Sequence, residues 1–287
     1  MRMQSKQSST RAGYTLIELL VVIAIIAVLI SLTSAAVFQV LKKGPELNCA
    51  NDLSQLDNAI ASFKSDFSVD YIPNQIVIRN SYPATDITGQ YFRKCFGSRV
   101  NLMNTGLVAS TGIADGQPMN GNQCLVFFLG GINQQGFSPD AMNPFAAPVN
   151  PGETRKGPYF VFPAKKLNST KQFLDPWGIP YVYMASINRA YNTNPQLNPY
   201  NMGVWAYCEV STPPFPPKYV NAHSHQIISG GENKKLGIGS PPLNQANPIS
   251  LANAPAPWTP GSGAYSPTSD GGDDYSNFHS GKLGVDR

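Results

Sequence analysis

The sequence predicts an α+β fold in which a long N-terminal helix, transmembrane in its first half, packs against an antiparallel β-sheet head with long loops. Three observations lead there. Residues 14–41 hold one charge, Glu18, in an otherwise uncharged stretch. Apolar residues then recur at helical spacing up to Phe67. Beyond them, short aromatic or β-branched segments alternate with turn residues.

The helix comes first. Leu19 to Ile30 is an unbroken apolar run. With its uncharged continuation to Leu41 it exceeds the ~20 residues that cross a bilayer as a helix. Lipid offers backbone N–H and C=O groups no partner, so the span must be helical. Arg2, Lys6 and Arg11 precede it with no acid among them. They place the N-terminus on the cytoplasmic side and the bulk of the chain outside. A plain single-pass anchor leaves Glu18 unexplained, because a carboxylate near the end of a membrane helix is costly and has a designated partner. After Lys42-Lys43, Gly44-Pro45 predicts a kink or short break. The helix then resumes, with Leu53, Leu56, Ile60, Phe63 and Phe67 three and four residues apart. Helical from Tyr14 to Phe67, the stem would be roughly 80 Å long.

The head, 68–287, reads as one α+β unit. A short strand is expected at Gln75–Arg79, within an otherwise irregular 70–100. Gln123–Leu129 is a buried helix or strand, and 131–157 a long loop. Strands are expected at Pro158–Phe162, Ile179–Ala185, Val204–Val210 and Gln226–Ser229, forming one antiparallel sheet over the amphipathic half of the stem. The segment from Gly239 onward, rich in Pro, Gly, Ser and Asn, is expected to be mostly loop.

Composition narrows function. Only 13% of residues are charged, while 42% are hydrophobic and 25 Gly and 25 Pro are present, which suits a folded, loop-rich, exported domain. The formal charge of +4 falls to +1 without Arg2, Lys6 and Arg11, so nucleic-acid binding finds no support. Cys49, Cys95, Cys124 and Cys208 form no Cys-x-x-Cys pair. Two disulfides, in any of three connectivities, or four buried thiols remain open. No phosphate-binding Gly-Lys-Ser/Thr loop, Gly-x-Ser-x-Gly elbow or His-Glu-x-x-His helix is present. No catalytic set is visible, and no enzyme activity is expected. His223-Ser224-His225 reads as exposed polar residues at a strand entry.

Gly13-Tyr14-Thr15-Leu16-Ile17-Glu18, with the apolar run after it, closely resembles the type IV prepilin signature. The resemblance implies a pilin fold: a leader, 1–13, cut off between Gly13 and Tyr14 by a prepilin peptidase; a filament-core helix, 14–41; and the amphipathic half of the stem, 42–67. It implies methylation of the new amine and pairing of Glu18 with the amine of a neighbouring subunit. Two charges buried together offset each other's desolvation. The first mature residue is Tyr14, where the family more often has Phe.

Asp175-Pro176-Trp177-Gly178-Ile179-Pro180-Tyr181 resembles a block of the major type II secretion pseudopilins. Gln226 to Asn233 and Gly271 to Phe278 are similar to the strand end and acidic loop that enclose calcium in those proteins. Carried over, Asp273, Asp274 and Ser229 would hold Ca2+, with Asp270 or Glu232 as a further acid; a solvated acidic turn is the alternative. The head is about twice the family's usual length, and an insert at 240–269 splits the loop. The resemblance implies a pseudopilus or pilus-like filament subunit. Its partners would be other copies of itself, other pseudopilins, the prepilin peptidase, and an inner-membrane assembly platform with its ATPase. The protein would sit in the bacterial inner membrane with a periplasmic head, then enter a periplasmic or surface filament. The alternative is a non-polymerised, single-pass anchored binding or enzymatic domain.

Overall fold

The structure is a computed structural model that describes residues 14–140, 142–148, 150, 152–191, 204, 206–210, 218–237 and 270–283. It divides into two compact units, Met1–Pro45 and Glu46–Arg287. The architecture is α+β, consistent with a pilin fold.

Helix α1 spans Leu16–Phe67 and passes through Pro45 without interruption, so the expected break at Gly44-Pro45 does not occur. Proline removes one backbone hydrogen bond but adopts helical φ itself, so a helix can pass through it. The first unit contains Leu16–Ser34, with a mean hydropathy of 2.9 and none of it buried within the protein. Such a segment fits a single-pass membrane anchor.

In the second unit the amphipathic half of α1 buries the expected stripe. Leu53, Leu56, Ile60, Phe63 and Phe67 are all buried. Helix α2, Ile87–Phe96, packs there too, in a region expected to be irregular. Asp86 caps it by accepting from Gly89 N at 2.9 Å, and Tyr91, Phe92 and Cys95 turn inward. A short helix α3 covers Leu107–Thr111. Gln123–Leu129 belongs to helix α4, Gly121–Gly130, opened by a capping box between Asn120 and Gln123. Its rings, Phe127 and Phe128, meet Phe63, Phe92, Phe137 and Phe145 edge-on or tilted.

The expected strand at Gln75–Arg79 is reduced to β1, Ile76–Val77, paired with β2, Pro118–Met119. The main sheet has four antiparallel strands in the order β4-β3-β7-β8. These are β3 (Val182–Ile187), β4 (Ala190–Tyr191), β7 (His225–Ser229) and β8 (Tyr275–Ser276). Asn188 and Arg189, both with positive φ, make the two-residue hairpin between β3 and β4. Two expectations fail. Pro158–Phe162 is not a strand: its backbone turns to reach helix α4, with Tyr159 N and Phe160 N both donating to Leu129 O. Val204–Val210 contributes only β5, Cys208–Val210, and it pairs with β6, Lys218–Tyr219, outside the main sheet.

The central strands are buried on both faces. Tyr181, Tyr183, Ala185 and Ile227 join the core against α1 and α4. Val182, Met184 and Ile228 join a second core with Tyr191, Val204, Tyr207, Tyr219 and Val220. Gln226, fully buried, ties that layer down: its side chain accepts from Tyr207 N and donates to the Tyr207 and Val220 carbonyls at 2.8–3.0 Å. Every acid on the amphipathic half of α1 is taken by a different head residue. Glu46 meets Lys282 at 3.0 Å, Asp52 meets Lys166 at 2.6 Å, Asp57 meets His225 at 2.7 Å, and Asp66 accepts from Tyr159 at 2.8 Å.

Cys49, Cys95 and Cys124 are buried free thiols, and the Cys208 side chain lies outside the described residues. Burial pushes the Cys49 thiol up to about 11 and Cys95 up to about 12, so both resist alkylation.

Gly121 marks the closest contact of α4 with β3. A Cβ there would lie 2.2 Å from the Tyr183 carbonyl oxygen. Gly121→Ala is therefore expected to lower stability by about 1–3 kcal/mol in urea unfolding. Wild-type stability in that variant would contradict the packing described.

Candidate functional site

Two places draw together the residues singled out from sequence. The first is the start of α1. Gly13 lies outside the described residues, and Tyr14 is exposed. The helix begins at Leu16, two residues later than expected, because Thr15 caps it. Glu18 N donates to Thr15 Oγ1 at 3.3 Å, and Thr15 N and Oγ1 donate to Glu18 Oε2 at 2.8 and 2.9 Å. Ser/Thr-x-x-Glu pairs of this kind satisfy the free N–H groups of a helix start. Glu18 thus has a local partner within one chain, and its carboxylate stands at the positive end of the helix. The side chains after it, from Leu19 to Leu32, lie bare.

The second place is the acidic loop. Residues 230–237 follow β7, and 270–274 lead into β8, so strand pairing brings the two segments together. Gly231, at φ +63°, packs directly on the Asp273 carbonyl, where a Cβ would sit 2.2 Å from the oxygen. Asn233 N donates to Asp273 Oδ2 at 2.7 Å, and Gly237 N to Asp274 Oδ2 at 2.8 Å. The other oxygen of each carboxylate, Asp273 Oδ1 and Asp274 Oδ1, is buried without a hydrogen-bond partner. Burial pushes the Asp274 carboxyl up to about 8, and nearby Asp273, Asp175 and Asp270 add to the effect against the Gly237 N–H.

These orphaned oxygens fit a hard cation, which takes carboxylate and carbonyl oxygens. Among the described residues, no three His, Cys, Asp or Glu side chains converge as a metal-holding group. Carbonyls or water would have to supply the remaining ligands. Ser229, Asp273 and Asp274 are brought to one neighbourhood, but the Ser229 hydroxyl donates to Asp175 at 2.7 Å. Asp270 is exposed and paired with Lys235 at 3.2 Å, and Glu232 is exposed.

The histidine reading changes. His223 is exposed, but it precedes β7 rather than belonging to it. His225 is buried, with Nε2 2.7 Å from Asp57 and Nδ1 2.9 Å from Ser224 Oγ. The signal was available: Asp57 lies on the same side of the amphipathic helix as Leu53 and Ile60, which face the sheet.

Residues 8–34 match the family described as the prokaryotic N-terminal methylation motif. The N-terminal segment is type IV pilin-like. The match covers the end of the leader, Gly13, Tyr14, the Thr15–Glu18 cap and the apolar span, and nothing of the head. No curated protein and no solved structure matches the chain.

Proposed function

We propose that this chain is a structural subunit of a pilus-like filament, nearest to a type II secretion pseudopilus, and that it is not an enzyme. The observation that carries the reading is the bare apolar helix whose single charge, Glu18, stands at its start within the prepilin motif. In this reading prepilin peptidase removes residues 1–13 on the cytoplasmic side, and the Tyr14 amine is methylated. An assembly platform and its ATPase then draw the helix from the inner membrane into the filament.

Assembly replaces lipid around the helix by neighbouring copies. Glu18 gains a partner there, the amine of an adjacent subunit, when it leaves the Thr15 cap. A carboxylate and an ammonium buried together offset the desolvation that either would suffer alone. The exposed side of the stem's second half supports close packing as well. Asn48, Asn51, Ser54, Gln55, Asn58 and Ser62 are exposed, short and uncharged. In the head, Asp273 and Asp274 would hold Ca2+ with backbone carbonyls, and the ion would cross-link the two halves of the acidic loop.

The test is intact mass and N-terminal sequencing of protein recovered from membranes with and without the peptidase. The expected N-terminus is a methylated Tyr14, and Gly13→Arg should leave the leader in place. An uncut chain in the presence of the peptidase would sink the filament reading and make this an anchored domain.

A further inference from the structure

The Asp175-Pro176-Trp177-Gly178 turn lies against the acidic loop, and its side chains are occupied there. Asp175 is buried. Its Oδ1 accepts from Trp177 N and Ile179 N at 3.0 and 2.9 Å, which closes the turn, with Gly178 at φ +90°. Its Oδ2 faces away from the turn and accepts from Ser229 Oγ at 2.7 Å, at the end of β7. With its proton committed to Asp175, the Ser229 oxygen is oriented to accept from Gly231 N, at 3.3 Å. Gly231 in turn rests on the Asp273 carbonyl. On the other side of the loop, Trp177 stacks on Tyr275 with ring centroids 5.6 Å apart and planes 15° apart. Tyr275 directly follows Asp274. The turn therefore grips both ends of the loop.

We infer that Asp175 is the positioning residue of the acidic loop: through the Ser229 hydroxyl it fixes the 230–237 segment against 270–274 and so sets Asp273 and Asp274 for a cation. Ser229 acts as a strut between Asp175 and Gly231 rather than as a ligand with a free hydroxyl. The consequence for the ion rests on the calcium reading above; the positioning role does not.

The test uses the full-length protein in detergent, in two solutions. In EDTA, hydrogen exchange is followed at Gly231, Asn233 and Gly237, whose N–H groups bond Ser229, Asp273 and Asp274. Asp175→Asn keeps an acceptor for the turn and removes the one that Ser229 uses. It should speed the three loop amides about tenfold and leave the β3–β7 ladder amides of Met184 and Gln226 unchanged. Ser229→Ala should do the same, and the double variant should be no faster than either single one, since both break one link. Ser229→Ala alone carries the test if Asp175→Asn does not fold. Wild-type exchange in the variants, or additive effects, would overturn the proposal. With CaCl2, calorimetric titration should show affinity about tenfold weaker in both variants, and wild-type affinity in either would also overturn it. A wild-type head that takes up no calcium would remove the calcium reading, while the EDTA exchange would still decide the role of Asp175.

Discussion

Replacing Arg155 by alanine is expected to cost the head about 3–5 kcal/mol. The guanidinium is nearly buried, with 5% of its side chain exposed. Its Nε donates to Gln135 O at 2.9 Å, and one Nη donates to Gly136 O and Ala146 O at 3.1 and 2.7 Å. The other Nη meets Glu153 at 3.1 Å. Among the described residues, the long loop between α4 and Gly157 has single backbone bridges, such as Phe137 with Lys156, and no named strand, so this planar fork helps hold it, and with it Phe137 and Phe145 in the aromatic core. Alanine would take away the donors that Arg155 supplies to the Gln135 and Ala146 carbonyls, and would remove one of the two donors on Gly136 O, whose other is Ile132 N. Lysine should recover less than half of the loss, because an ammonium cannot reach three separated acceptors as a planar fork does. Urea unfolding monitored by tryptophan fluorescence measures both, and a loss under about 1 kcal/mol for alanine would contradict this role.

The second large effect is a pH dependence that calcium should erase. The folded-state pKa of Asp274 is raised to about 8 from an ordinary 3.8. The folded head therefore holds a proton that the unfolded chain releases. The resulting stability is fully present below pH 4 and is lost as pH rises toward 8, at about 1.4 kcal/mol for each pH unit crossed between those limits. In EDTA the head should thus be less stable at pH 8 than at pH 5 by a few kcal/mol. In the calcium reading proposed above, the ion would take the place of the proton, so its stabilisation should be large at pH 8 and small at pH 5. Asp274→Asn should flatten the EDTA profile and abolish the calcium effect. Equal calcium stabilisation at both pH values would dissociate Asp274 from the ion.

The sequence made the stem legible because each of its signals is local and periodic. Charge exclusion marked residues 14–41, three-and-four spacing marked the buried stripe, and both survive in α1. The strands at 182–187 and 225–229 were visible for the same reason: β-branched and aromatic runs between turn residues. What escaped depended on distant partners. Pro158–Phe162 has strand composition, but its N–H groups are claimed by the end of α4. Helix α2 was hidden because Thr88, Gly89 and Gln90 dilute its apolar face, although Asp86 and Gly97 bracket it as caps. At the acidic loop the carboxylates were visible as residue types. The commitment of Ser229 to Asp175 was not, since 54 residues separate them. His225 was misread because its burial is set by Asp57, a whole head away in sequence.

The four acids of the stem bear on what happens when the helix is pulled. Glu46, Asp52, Asp57 and Asp66 are tied to Lys282, Lys166, His225 and Tyr159, at successive heights along the helix. A force along the helix axis loads these ties in shear and in parallel, so none can fail first and leave the rest to be peeled in sequence. Each tie alone is weak, in the range of partly exposed ion pairs. Sliding the helix by one turn would nevertheless break all four together and drag Leu56, Ile60 and Phe63 out of their seats. In the filament reading proposed above, a subunit drawn from a bilayer by its stem would bring its head along intact.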